Sequence, residues 1–180
     1  MSRIGRLPVA VPAGVEVTVS NNVITVKGKL GVLTQEFDPR INIVVENNQV
    51  ILTRENDAND VKAKHGLYRA LVANMIKGVT EGYSRKLVVN GVGYKVQKQG
   101  NDVIMNIGYS LPVTVKAVDG IKLDCPTATE IVVSGIAKDK VGEVAAKIRA
   151  VKKVEPYHGY GIKYDDEVVI RKQGKTAGKK

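Results

Sequence analysis

The residues best suited to gripping a polyanion lie between Lys152 and Lys175, in the run K-K-V-E-P-Y-H-G-Y-G-I-K-Y-D-D-E-V-V-I-R-K-Q-G-K. Tyr157, Tyr160 and Tyr164, three of the seven tyrosines, stand there with Gly159 and Gly161 alternating among them and His158 beside Tyr157. Flat rings stack on unpaired bases, and glycines let backbone come close to a ligand. Lys152, Lys153, Lys163, Arg171, Lys172 and Lys175 supply cations, whose contacts with phosphate are sensitive to salt and indifferent to base sequence. The combination predicts an RNA-docking surface.

Other reactive side chains fit unremarkable roles better. Cys125 has neither histidine near it in sequence, and a nucleophile needs both a base and a group to orient that base, so an inert thiol is expected. His65, in K-A-K-H-G-L-Y-R, reads as packing or capping near a helix start. Asp165-Asp166-Glu167 could hold a divalent ion but offers no fourth ligand at a fixed spacing, which favours an exposed acidic turn. Gly91-Val92-Gly93 lacks the third glycine of a dinucleotide fingerprint, since Val96 occupies that place, and a strand follows where a helix should begin. Gly28-Lys29-Leu30-Gly31 has the spacing of a KH loop but is flanked by strands, which makes it a hairpin turn. No catalytic residue, metal site, cofactor or small-molecule substrate is expected.

Charge distribution points the same way. The net charge is +10, of which residues 1–10 carry +2, residues 11–137 carry +2 and residues 138–180 carry +6. Charge gathered at one end suits docking on an acidic partner. The single cysteine excludes an internal disulfide and fits a reducing compartment. No apolar run approaches the roughly 20 residues that span a bilayer, and the tail from Gln173 onward lacks an apolar face, so a cytoplasmic protein without membrane contact is expected. The last residues, Q-G-K-T-A-G-K-K, have nothing to bury.

The elements that must hold the C-terminal segment can be read from periodicity. Val15, Val17 and Val19 alternate with Glu16 and Thr18 as a strand, Asn21-Asn22 makes a turn, and Val23, Ile24 and Val26 resume a strand. Residues 32–37, 41–46 and 49–54 form further strands, the last two joined at Asn47-Asn48. From Asp57 the period becomes helical, with Val61, Tyr68, Leu71, Val72, Met75 and Val79 on one face, Asn56 or Asp57 as N-cap and Gly78 near the end. A gapless shift of 80 residues then sets Val23 on Val103, Ile24 on Ile104, Ile41 on Ile121, Ile51 on Ile131, Val61 on Val141 and Ala70 on Ala150. The second helix spans about 138–151 and buries Val141, Val144, Ala145, Ile148 and Val151. The pattern predicts an α+β chain of two tandem similar domains, residues 1–81 and 82–180, each an antiparallel sheet packed on one helix. Past Glu155-Pro156 only the second copy continues, with Val168–Ile170 as one more short strand.

Several motifs resemble the bacterial large-subunit ribosomal protein L-six family. P-Y-H-G-Y-G-I-K-Y (Pro156 to Tyr164) is similar to that family's P-Y-K-G-K-G-I-R-Y, and S-R-I-G-R-L-P-V, the helix segment from His65 to Tyr83, N-G-V-G-Y-K-V and I-G-Y-S-L-P-V resemble it too. The resemblance implies a non-catalytic constituent of the cytoplasmic ribosome that binds large-subunit rRNA through its C-terminal domain, beside neighbouring ribosomal proteins near the stalk base and the factor-binding site. It also implies RNA-facing roles for Tyr157, His158, Gly159, Tyr160, Gly161 and Lys163. His158 and Tyr160 stand where the family commonly has lysine, Lys163 replaces arginine, and Leu111 stands where histidine is frequent.

Overall fold

The computed structural model describes residues 3–175. They fall into two compact units: residues up to Tyr83 together with Ile136–Lys138, and Ser84–Gly135 together with residues from Asp139 onward.

In the first unit, β1 (Val9–Ala10), β2 (Glu16–Ser20), β3 (Val23–Gly28), β4 (Gly31–Glu36), β5 (Ile41–Glu46) and β6 (Gln49–Arg54) precede α1 (Asn59–Thr80). They make two three-stranded sheets, ordered β1-β6-β5 and β2-β3-β4, where a single sheet was expected. Every pairing within them is antiparallel. Two-residue turns close the β2–β3 and β5–β6 hairpins, with Asn21, Asn22, Asn47 and Asn48 all at positive φ between 48° and 59°. Asparagine tolerates that region, and its twist suits tight hairpins. Helix α1 packs on both sheets and buries Val61, Val72, Met75, Ile76 and Val79 against Ile24, Val26, Ile41, Val50 and Leu52. Leu71, expected on that face, is only half-buried.

The start of α1 differs from expectation because the candidate caps are engaged elsewhere. Ala58 holds the N-cap position without a side-chain bond, Asn56 Oδ1 accepts the Ala58 N–H at 3.1 Å, and Asp57 is taken by Arg54 at 2.7 Å. Gly78 lies within the helix, and Gly82 closes it by donating its N–H to the Lys77 carbonyl at 3.2 Å. His65 packs in the core at 3 % exposure, with Nε2 2.9 Å from the Leu52 carbonyl oxygen.

The second unit repeats this plan with β7 (Tyr83–Asn90), β8 (Lys95–Gln99), β9 (Asp102–Asn106), β10 (Val113–Val115), β11 (Ile121–Asp124), β12 (Glu130–Gly135) and α2 (Lys138–Val151). Its sheets run β10-β9-β8 and β11-β12-β7-β13, where β13 is Gly161–Tyr164. Without β13, the order β11-β12-β7 is the counterpart of β5-β6-β1, so the duplication is one of topology as well as sequence. The extra strand does not lie at Val168–Ile170. Those residues take no regular structure, and Val168 and Ile170 are 90 % and 83 % exposed. The position is taken by β13, whose backbone pairs antiparallel with the β7 edge from Gly161↔Asn90 to Tyr164↔Leu87 and whose Ile162 is fully buried.

The copies do not align without gaps. The last pair of the first hairpin, Ser20↔Val23, corresponds to Gln99↔Asp102, an offset of 79. Ile43 and Leu123 correspond at 80, whereas their partners Leu52 and Val133 differ by 81. An offset of one residue reverses the face of a strand. Thus Ile24 is buried and Ile104 is not, Val103 is buried and Val23 is not, and Ile51 is exposed where Ile131 is buried. Ile41 with Ile121 and Val61 with Val141 are buried in both copies.

Candidate nucleic-acid interface

Helix α2 ends at Val151, and the following backbone is fastened to β13: the Ile162 N–H donates to the Lys152 carbonyl at 2.8 Å, and Lys153 bridges Ile162 in parallel. Between these anchors, residues 154–160 form a short loop. Glu155 donates its N–H to the Tyr160 carbonyl at 3.0 Å, and Gly159 donates to the Glu155 carbonyl at 3.2 Å. The tail returns to this loop, because the Lys172 N–H donates to the Pro156 carbonyl at 2.9 Å. Arg171 is thereby laid against Gly159, its guanidinium Nη2 3.1 Å from where a Cβ on that glycine would stand.

This folding brings some of the expected residues together and withdraws others. Tyr157 (51 % exposed), Tyr160 (41 %) and His158 are presented to solvent, and Lys153, Arg171, Lys172 and Lys175 are exposed with no carboxylate in ion-pair distance among the described residues. Lys152 is withdrawn. Its ammonium donates to the Ile107 carbonyl at 2.6 Å and lies 4.7 and 4.9 Å from the ring centres of Tyr94 and Tyr109, so it joins loops inside the unit. Lys163 is half-buried and donates to the Glu167 carbonyl at 3.3 Å. Tyr164 lies beneath two guanidiniums, Arg85 at 5.0 Å and Arg149 at 5.5 Å, which leaves it a supporting role. Gly159 and Gly161 are buried, so close approach of a ligand to their backbone does not explain them. A Cβ on Gly161 would stand 2.7 Å from both the Lys153 carbonyl oxygen and the Val154 Cα, and this is where the strand closes on the end of the helix. Residues 176–180 of the basic tail lie outside the described residues.

The acidic turn is occupied by arginines. Asp166 accepts from Arg85 at 2.9 Å, and Glu167 accepts two hydrogen bonds from Arg149, which lower both carboxyls below their ordinary range. Burial would raise Glu155, but hydrogen bonds from His158 outweigh it and the carboxyl ends low. Cys125 is half-buried, and burial followed by the neighbouring Asp124 charge pushes its thiol up, which opposes the thiolate a nucleophile requires. Gly28–Gly31 closes the β3–β4 hairpin, and Gly91–Gly93 bends the chain into β8.

Sequence reasoning missed Glu155 and Arg149. Each acts through a partner that only folding brings to it, although the (i, i+3) spacing of Glu155 and His158 was available as a signal.

Residues 11–82 and 90–165 both match the family model described as Ribosomal protein L6. The chain belongs to the ribosomal protein L6 family. Members of this family are structural, non-enzymatic proteins, and the two matched stretches are the two copies of the sheet-and-helix plan. Among relatives, the chain is 54% identical to the large ribosomal subunit protein uL6 of Clostridium kluyveri over 100% of both chains. It is 52% identical to that of Exiguobacterium sibiricum over 98% of this chain and 99% of the relative. For Clostridium perfringens the identity is 54% over 98% and 99%. These L6 proteins cover the whole plan, β13 and its preceding loop included.

Proposed function

We propose that this protein is a structural constituent of the large subunit of the cytoplasmic ribosome. It docks on large-subunit rRNA through the second repeat and supports the region near the stalk base and the factor-binding site, in contact with neighbouring ribosomal proteins there. In this reading residues 1–81 and 82–180 act as two modules, and the loop of Tyr157, His158, Gly159, Tyr160 and Gly161 with the cations around it is the docking site. Within that loop the two glycines shape the backbone, Lys152 and Lys163 brace it, and Lys153, Arg171, Lys172 and Lys175 meet phosphates.

The observation that carries the proposal is the return of the tail onto the loop. It sets cations without carboxylate partners among the described residues beside three exposed rings on a backbone pinned at both ends. Phosphate contacts position and rings stack, and a rigid mount keeps both from losing affinity to disorder. Family membership supports the same reading.

The test is a salt titration of rRNA binding. Replacing Lys153, Arg171 and Lys172 together with alanine should weaken binding at low salt and lower the slope of log affinity against log salt by up to about 0.9 for each phosphate no longer neutralised. Lys152→Ala should leave that slope alone. An unchanged affinity and slope for the triple variant would overturn the proposal.

A further inference from the structure

The docking loop contains a two-ring arrangement that charge and exposure alone do not explain. The His158 and Tyr160 rings lie 5.6 Å apart, centre to centre, at an interplanar angle of 17°. That is an offset stack. Its outer surfaces are open: the His158 side chain is 72% exposed, and Tyr160 is among the exposed large side chains of the unit. One carboxylate oxygen holds the outer ring in place, because Glu155 Oε1 accepts the His158 backbone N–H at 2.6 Å and faces Nδ1 at 3.0 Å. Nδ1 is the ring nitrogen that faces the Glu155 carboxylate, and no hydrogen bond of Nε2 is made among the described residues. Backbone bonds between Glu155 and Tyr160 and between Gly159 and Glu155 fix the spacing of the two ring-bearing residues.

We infer that Glu155, His158 and Tyr160 form a preassembled stacking platform for an unpaired RNA base, with Glu155 as the positioning residue. The inference rests on the rRNA-docking reading above and adds the ligand's chemistry: an extruded base stacked on the paired rings of His158 and Tyr160. A lysine there would add phosphate affinity with a salt cost. Two stacked rings instead offer a face that any base can continue, with little counterion release. Preassembly lowers the ordering entropy that a pair of free side chains would lose on binding.

The full chain should be titrated against an in vitro transcript of large-subunit rRNA, in parallel with a fully paired RNA duplex. His158→Ala and Tyr160→Ala should each weaken binding to the transcript about 5- to 150-fold, the equivalent of about 1–3 kcal/mol per stacked base. The salt slope should stay as in the parent, and duplex affinity should not change. Tyr160→Phe and His158→Phe keep a ring and should bind within about twofold of the parent. Glu155→Ala should weaken binding about 2- to 12-fold, the ordering of one side chain, and Glu155→Gln, which retains an acceptor oxygen, should restore it. Thermal unfolding of each variant identifies any loss that comes from folding, and the two phenylalanine variants keep the test valid if an alanine variant is unstable.

Alanine variants within twofold of the parent, alongside a triple cation variant that still loses affinity, would overturn the platform and leave the docking reading standing. A salt slope that falls with His158→Ala would make that residue a phosphate contact and also overturn it. If the triple cation variant is silent as well, the docking reading itself fails.

Discussion

Replacing Gly161 with alanine separates two explanations of the glycines in the loop. If Gly161 exists to let RNA approach, the substitution should weaken binding and spare stability. The structure requires the opposite. Gly161 is buried at φ 139°, a conformation that residues with a side chain seldom adopt, and an added Cβ would meet the Lys153 carbonyl oxygen and Val154 Cα at 2.7 Å and the Lys153 carbonyl carbon at 2.8 Å. All three atoms are backbone, so no side chain can swing aside. Backbone strain costs about 1–3 kcal/mol and overpacking about 1–3 more, for a total of about 2–6 kcal/mol. In a unit of this size each kcal/mol moves the melting midpoint by about 4–8 °C, so the second unit should melt about 8 °C lower or worse. Differential scanning calorimetry of the full chain measures this directly. The substitution should also unseat β13 from β7, raising amide exchange at Ile162, whose N–H is bonded to the Lys152 carbonyl. A melting midpoint within about 2 °C of the parent would refute the account of the loop as a strand closure around a buried glycine.

Other outcomes follow from the same contacts. Lys152→Ala should destabilise the second unit by about 1–3 kcal/mol, because the Ile107 bond and both ring interactions disappear, as read from a urea midpoint. Because Arg149 lowers Glu167 from its ordinary 4.5, that carboxylate contributes stability that is present above pH 4.5 and lost as the pH falls through its folded value. Glu167→Gln should therefore lower the urea midpoint at neutral pH and flatten the acid loss, and parallel curves for parent and variant would contradict the assignment. Asp38, held low chiefly by its bonds to Arg40 and Lys64, should give the first unit a similar acid-side loss that Asp38→Asn diminishes. A thiol reagent should label native Cys125 more slowly at neutral pH than a free cysteine peptide, and faster as the pH rises, since burial keeps the thiol protonated.

Much was legible in the chain itself. The change from period two to period 3.6 near residue 57, the paired asparagines and the recurrence near 80 residues determined two copies of a strand-rich unit with one helix, because those signals are local and a helix or hairpin forms from its own residues. The tyrosines, glycines and cations after Glu155 marked the candidate site for the same reason. Residue types could not settle which strand joins the sheet. Val168–Ile170 is the more apolar run, yet Gly161–Tyr164 takes the place because the chain leaving α2 reaches the β7 edge there and Gly161 permits the close approach. Register was hidden as well: in runs rich in valine and isoleucine a slip of one position costs little in similarity but reverses which face is buried, so the offsets of 79, 80 and 81 emerge only from the pairing. The division of labour among the cations was likewise a tertiary matter. Lys152 and Lys153 are adjacent and identical in type, but one faces Tyr94, Tyr109 and the Ile107 carbonyl while the other is exposed, and only packing distinguishes an internal brace from a solvent-facing cation.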